Sequence, residues 1–581
     1  MIDILGFHGE SPKIGDKLLP ENYAVLAKNC STQEGNIKPL KGEDVIQALD
    51  DDTETIYRLS GGWLQWNNKI SVAESFVYER DSGGRILIGG DVYPKETNFQ
   101  LAISGAGPYP YSTRRLGIAA PTAALTTSIT TTGSGTPRDI AYCYTRVGIW
   151  EDGTVVESAP SPSTEVFAVN DDGVVELSDF VDSAETGVYT THFRIYRINN
   201  GDTGAEFQYV AQIAKTTSTY DDDHATNTDD SLGEVLPTEG WTNPDDDLSG
   251  FIVASSGLIF GFSENKVYVC ESYIHYAFPI GFSLSIDSEV VGFGFNGSAV
   301  VVLTKTTPYL IYGTDPSALT MDKIPAELPC KSARSIVSIP NGVIFASDTG
   351  LVLIDSSGVA QIITSQIFTK QQWVDLVPAN IFAFYYDASY IAFFSGTKIG
   401  ILFGFTSSEI HRLEADGKVF GGQYVSTVSN NQYDFLDAGG NNFITAGGYQ
   451  LVVYSDDYSI AFDALYLIEE TETEGRQLVS WESSDTLKSF TWKSKEFFSI
   501  KGEFLMAGVI VGDFSEGSAS LALYVDDVLV TTETVTNSEV FLLGSVVRGN
   551  KFQIILTGKA TIERVILGAS PTAVLERAYG E

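Results

Sequence analysis

The sequence predicts an all-β protein organised around a β-propeller, on three observations. Four short apolar runs recur: Gly257-Leu-Ile-Phe260, Ala299-Val-Val-Val302, Gly342-Val-Ile-Phe345 and Tyr390-Ile-Ala-Phe393. Their second residues, Leu258, Val300, Val343 and Ile391, stand 42, 43 and 48 positions apart. Nine or ten residues after each run begins, a partner begins: Val267-Tyr-Val269, Tyr309-Leu-Ile-Tyr312, Leu351-Val-Leu-Ile354 and Ile399-Gly-Ile-Leu402. Turn residues such as Ser263-Glu-Asn-Lys266, Asp348-Thr-Gly350 and Ser395-Gly-Thr397 separate the partners. Finally, no long stretch repeats apolar residues at helical spacing, whereas alternating and β-branched runs occur throughout.

A strand, a turn and a second strand form a hairpin that cannot bury both faces alone. Repetition of such a unit every ~40–50 residues is the spacing of propeller blades. The competing reading is a large irregular sandwich with coincidental spacing. A fainter fifth copy begins near Asp434-Phe435 and answers at Phe443-Ile-Thr445. Five hairpin pairs and an N-terminal blade predict six blades, with seven the alternative.

In chain order, Leu18 to Cys30 reads as a short helix, and Gly35-Asn-Ile-Lys-Pro-Leu40 as an extended segment set by its proline. Strands at 56–59, 63–66, 70–72 and 86–88 predict an early blade. A closed ring requires its ends to meet, so N-terminal strands are expected to complete the sheet that 435–483 leaves open. The Thr-, Ser-, Ala- and Gly-rich stretch 121–136 reads as a linker or flexible edge. Strands at 140–146, 174–177, 193–197 and 207–213 then predict an inserted sandwich of immunoglobulin or fibronectin type. Seven strands between 490 and 567, with a hairpin turn at Asp526-Asp527, predict a C-terminal β-sandwich or jelly roll. The expected division is 1–120 for the N-terminal segment and first blades, 121–245 for the insertion, 246–483 for the remaining blades, and 484–581 for the last sandwich.

A chain of 581 residues is too long for one core, and 43% hydrophobic with 12% aromatic content excludes global disorder. The formal net charge is −39, from 36 basic and 75 acidic residues. Gripping nucleic acid would need clustered Lys and Arg, and anionic membranes would repel such a chain. The excess reads either as solubility in salt or as a surface kept from sticking to a nearby polyanion. The first residues lack a basic n-region and a long apolar core, and no run approaches 18 apolar residues, so neither a signal peptide nor membrane insertion is expected. Cys30, Cys143, Cys270 and Cys330 lie at least 60 positions apart without any CxxC pair, and read as buried free thiols.

No pattern predicts catalysis. Gly292-Phe-Gly-Phe-Asn-Gly297 matches a dinucleotide fingerprint, but Asn296-Gly297 reads as a hairpin turn into a strand, where no helix N-terminus could hold a pyrophosphate. His8, His192, His224, His275 and His411 are scattered. The 75 acids offer too many accidental pairs for any to identify a glycosidase, and aromatic residues at strand spacing read as core before carbohydrate platform. Between 216 and 250 every charged residue is Asp or Glu, and the stretch reads as a self-repelling solvated loop, with calcium binding the alternative. Its Asp221, Asp222, Asp223, Asp229, Asp230, Asp245, Asp246 and Asp247 are the candidate channel or neighbour contacts, together with hairpin tips at Asn296-Gly297 and Asp416-Gly417. No catalytic residue, cofactor or metal ligand is assigned.

Leu18-Leu-Pro-Glu-Asn-Tyr-Ala-Val-Leu-Ala-Lys-Asn followed by Gly35-Asn-Ile-Lys-Pro-Leu resembles the start of tail nozzle (tail tubular) proteins of short-tailed phages. Glu157-Ser-Ala-Pro-Ser-Pro, Phe193-Arg-Ile-Tyr-Arg and Leu232-Gly-Glu-Val-Leu-Pro resemble their fibronectin-like region. Pro308-Tyr-Leu-Ile-Tyr-Gly-Thr-Asp-Pro316, Cys330-Lys-Ser-Ala-Arg-Ser335, Trp492-Lys-Ser-Lys-Glu-Phe-Phe498 and Phe552-Gln-Ile-Ile-Leu-Thr-Gly558 fit as well. The resemblance spans most of the chain through soft structural motifs. It implies a hexameric, non-enzymatic virion ring, made in the host cytoplasm and placed below portal and adaptor proteins with tail fibre or needle proteins as further partners. Genomic DNA would leave through its channel without sequence-specific binding. The rival expectation is a glycan-binding or glycan-degrading propeller, an adhesin or depolymerase. A third is a host β-repeat protein that binds other proteins.

Overall fold

The computed structural model describes residues 1–580 except 60–61, 76–83, 202–203, 255, 406–408, 427–431, 435–451, 455–462 and 499–503. The four repeated hairpins are the second and third strands of successive four-stranded antiparallel sheets. Blade 3 comprises Ser249–Val253, Ile259–Ser263, Lys266–Val269 and Leu284–Ser285; blade 4 comprises Val290–Phe295, Val300–Thr304, Tyr309–Tyr312 and Thr320–Lys323. Blade 5 comprises Val337–Ile339, Gly342–Ala346, Leu351–Asp355 and Ala360–Ile362. Blade 6 takes Ile381–Tyr386, Ser389–Phe394, Thr397–Gly404 and the first half of Glu409–Val425. Blade 2 precedes the insertion, with Ser71–Glu74, Ile86–Gly89, Lys95–Thr97 and Arg114–Arg115.

Strand alternation explains why blades stack. Successive side chains point to opposite faces, so Val300 and Val302 pack on blade 3, with Phe260 and Val267, while Val301 and Leu303 pack on blade 5, with Val343 and Phe345. Each such residue contributes about 1.5–3 kcal/mol by leaving water. Leu87 meets Phe251 and Ile259 between blades 2 and 3, and Ile344 meets Tyr390 and Phe403 between blades 5 and 6.

The ring closes through the N-terminus. Blade 7 is built from the second half of Glu409–Val425, then Ala464–Thr471, Gly475–Ser480 and, as its outer strand, Asp44–Ala48. The hairpin Thr55–Leu59/Gly62–Trp66, blade 1, fills the remaining gap: Ile56 and Trp63 pack on Ile468 and Leu478, while Leu59 and Leu64 pack on Ile86 and Ile88. The described sheets thus form six four-stranded blades and a two-stranded seventh, which corrects the expected six to the alternative of seven, because Glu409–Val425 is long enough to serve two blades in turn. Phe435 and 443–445 of the expected fifth copy lie outside the described residues.

The insertion is a sandwich. A sheet of Thr126–Thr131, Val174–Ser178 and Thr219–Asp223 faces one of Val155–Glu157, Tyr142–Ile149, His192–Gly201 and Gly204–Ala214, around Tyr142, Tyr144, Val175, Leu177, Phe193 and Ile195. The polar stretch expected as a linker or flexible edge supplies an edge strand of the sandwich, Thr126–Thr131. Trp150 clamps the insertion to blade 2, its ring lying 4.1 Å from the Arg85 guanidinium and 4.0 Å from that of Arg114.

The C-terminal sandwich packs Ile2–Leu5, Thr561–Gly568, Phe504–Asp513 and Phe541–Arg548 against Tyr23–Lys28, Phe490–Ser494, Lys551–Gly558, Ala519–Val525 and Val528–Val535. The hairpin at Asp526-Asp527 has φ of 48° and 71°, the type I′ pattern matching strand twist. Two expectations are corrected here. The first forty residues, placed with the early blades, complete this sandwich, as Ile2, Ile4, Phe7, Ala24 and Ala27 enter its core. The helix expected from Leu18 to Cys30 is instead the strand Tyr23–Lys28, parallel to His8–Glu10 and antiparallel to Phe490–Ser494. The spacing of three between the buried Ala24 and Ala27 suits a helix, but a register shift between Ala24 and Leu26 accommodates both in a strand, and the open edges of those two strands supply the ladder that decides.

Candidate channel and contact surfaces

The inner strands of the seven blades carry little charge. Across 55–59, 71–74, 249–253, 290–295, 337–339, 381–386 and 418–425 the charged residues are Arg58, Glu74 and Lys418. The acidic excess therefore lies elsewhere, on loops and outer surfaces.

The candidate aspartates divide. Asp221, Asp230, Asp245, Asp246 and Asp247 are exposed. Asp245 accepts from the Tyr268 hydroxyl (3.0 Å), Asp246 pairs with Arg115, and Asp247 accepts from Ser263, so the last triplet dresses the edge of blades 2 and 3. Asp223 caps a turn through the Ala225 N–H (3.0 Å), and Asp229 pairs with Arg138 and Arg197.

Three candidates are corrected. Asp222 is fully buried in the inserted sandwich, accepting from Tyr142 (2.7 Å), Arg197 (2.6 Å) and Asn227 (2.7 Å), because alternation along Thr219–Asp223 turns it inward between the exposed Asp221 and the half-buried Asp223. Burial raises its pKa, but the hydrogen bond to His224 and the Arg197 charge outweigh burial and bring it down to about 2. Asn296 is also fully buried. Its Oδ1 accepts from the Ala299 N–H (2.8 Å) and its amide donates to the Asp355 carbonyl (2.9 Å), so it holds the turn from Val290–Phe295 into Val300–Thr304. That hairpin also rules out a pyrophosphate cradle at the glycine pattern. Asp416, expected at a hairpin tip, is exposed but lies within the strand Glu409–Val425, where its partners change from blade 6 to blade 7.

Two buried clusters were not legible in the sequence. In the first, Glu409 accepts from Thr32 (2.9 Å) and lies 3.0 Å from His8 Nδ1, while Thr32 Oγ1 lies 2.8 Å from His411 Nε2. Since Thr32 gives its one proton to Glu409, it accepts Nε2–H from His411. Burial first, and also the neighbouring His8, bring His411 down to about 4 against the opposing charge of Glu409. A Cβ on Gly9 would stand 2.6 Å from the Ile410 carbonyl and 2.9 Å from His411, so only glycine allows this approach.

The second cluster joins propeller to sandwich. The Lys488 ammonium bonds Glu43 (2.6 Å), the Glu414 carbonyl (2.9 Å) and Asp416 (3.2 Å). Glu43 accepts the Asp416 N–H (3.1 Å), and Glu469 accepts the Gly417 N–H (3.0 Å). Burial first, then the charge of Glu43, push Glu469 up to about 8. Residues 43, 416, 469 and 488 are too far apart in sequence for any motif to connect them.

All four cysteines are buried free thiols. Among the described residues no group of three or more His, Cys, Asp and Glu is placed to hold a metal, and no helix is long and apolar enough to cross a membrane.

No protein-family model and no curated protein matches the chain. Solved structures similar to it include apo AztD from Citrobacter koseri, at 12% identity over 58% of this chain and 94% of that one, TM-score 0.24. YCF48 from Cyanidioschyzon merolae overlaps at 11% identity over 46% and 93%, TM-score 0.24. An exo-β-1,3-galactanase from Phanerochaete chrysosporium overlaps at 8% identity over 90% and 100%, TM-score 0.19. Such remote likenesses say nothing of what this chain binds or acts on.

Proposed function

We propose that this chain is a structural, non-enzymatic component of a short phage tail, a nozzle ring whose copies enclose an acidic channel for the genome. The observation that carries the reading is the placement of charge. The inner strands hold two cations and one anion, whereas Asp221, Asp230 and Asp245 to Asp247, none of them on an inner strand, are exposed. A single propeller's bore is then not an acidic wall, but several copies side by side could make one, and like charge would keep DNA from adhering. Exposed apolar residues on two edge strands of the C-terminal sandwich, Val528, Leu529, Val530, Leu542 and Val546, support contacts with neighbours.

The test is gold-labelled antibody to the C-terminal sandwich, imaged on particles from the source lysate. Label at the tip of a short tail, at about six copies per particle as expected of a closed ring, is the expected result. Label on slender peripheral appendages would replace this reading with a glycan-binding or glycan-degrading one. No label on particles would end both.

A further inference from the structure

We propose that the joint between propeller and C-terminal sandwich is a proton-held latch, in which Glu43, Glu469 and Asp416 share one ammonium, Lys488, and one retained proton. Both chain crossings between the two bodies pass this point. The chain leaves the sandwich through 40–43 and returns through 482–489, and the two segments run side by side. The Gly42 N–H donates to the Thr486 carbonyl (2.7 Å) and the Lys488 N–H to the Leu40 carbonyl (2.8 Å). The third element is the strand Glu409–Val425, which at Asp416 and Gly417 passes from one blade to the next.

The charge count drives the inference. Side-chain exposure is 3% for Glu43 and 7% for Lys488, and Glu469 is 2% exposed as a residue. Two buried carboxyls and the exposed Asp416 face one cation. If all were ionised, a negative charge would stay buried without compensation, which is costly. The Oε1 of Glu469 has no hydrogen-bond partner among the described residues as an acceptor, and with a proton it donates to Glu43. The groups facing Glu469 are Glu43 on the entering segment, the Gly417 N–H on the long strand and Lys488 on the returning segment, and Asp416 reaches the site through Lys488 and Glu43. Glu482, Asp387 and Lys41 surround the same joint one step further out.

The sign follows from the raised carboxyl. The folded protein holds a proton that the unfolded chain releases near 4.5, so the latch is fully stabilising below that pH and is lost as pH rises through about 8.

The test compares the full chain with Glu469→Gln, which keeps the shape and an acceptor for the Gly417 N–H but cannot ionise. Thermal midpoints between pH 5 and 8.5 should fall more steeply for the unaltered protein than for E469Q. Hydrogen exchange of the unaltered chain gives an independent reading should the variant fail to fold. Protection of the segment around Asp416 and Gly417, corrected for intrinsic pH dependence, should drop by more than about tenfold across the same range. Parallel melting curves, or protection that stays constant with pH, would overturn the latch.

Discussion

The Arg197–Asp222 cluster of the inserted sandwich and the Lys488 cluster of the joint both bury ionisable groups, yet they differ in balance. Asp222 is matched by Arg197, with Tyr142, His224 and Asn227 filling its remaining valences, so it is held ionised. The joint has more carboxyls than cations, so one is held protonated. The first should tolerate neutral and alkaline pH and fail in acid, the second the reverse. Asp222 and Glu469 are both buried, and the count of partners around each sets the direction of its shift.

The largest effect should come from breaking the balanced pair. Arg197→Met leaves Asp222 buried without its cation and is expected to cost about 3–5 kcal/mol by chemical denaturation. Adding Asp222→Asn should recover part of that loss, and a double mutant as weak as the sum of the singles would show that the two are not coupled.

Gly9→Ala drives a methyl into the Ile410 carbonyl and the His411 ring, and should cost about 1–3 kcal/mol. A neutral result would mean that this seam yields more easily than the buried pairs do.

His411 extends the comparison to acid. Its folded pKa is depressed, so its stabilising contribution is present above about 6.5 and lost as pH falls through about 4. His411→Gln should remove the part of the acid-side slope that lies in this window, measured by denaturant titration at several pH values. An unchanged slope would place the acid sensitivity elsewhere.

The smallest stability effect is expected on the exposed acids. Asp245→Lys, Asp246→Lys and Asp247→Lys, introduced together, should shift stability little beyond the lost Arg115 pairing, about 0–1 kcal/mol. In a virion the same triple change should slow DNA ejection under the channel proposal. Unchanged ejection kinetics would remove these residues from the channel wall.

The blades were legible because each repeated hairpin is buried on both faces and so reads as a continuous apolar run. Ser389–Phe394, with all six residues buried, is the clearest instance. The strand Tyr23–Lys28 is not legible as one because a segment whose buried alanines are three apart has no strand period of its own, and its partners, His8–Glu10, Glu409–Val425 and Phe490–Ser494, are scattered along the chain. Asp221, Asp222 and Asp223 are indistinguishable as letters, and only their register in the inserted sandwich separates the one fully buried ion from its more accessible neighbours. The exposed triplet at 245–247 was legible as surface, since no cation lies near it in sequence to neutralise it.

By itself, the sequence determined what repetition and composition can carry: an all-β chain, hairpins at blade spacing, two further sandwiches and a large negative charge. Local periodicity encodes those features, and each short segment contains it entire. Tertiary structure alone decided how the ring closes, with Asp44–Ala48 joining Gly475–Ser480, and how Glu43, Asp416, Glu469 and Lys488 come to share one site. Such groupings depend on contacts between residues hundreds of positions apart, and their protonation depends on burial and partner count, which exist only once the chain has folded.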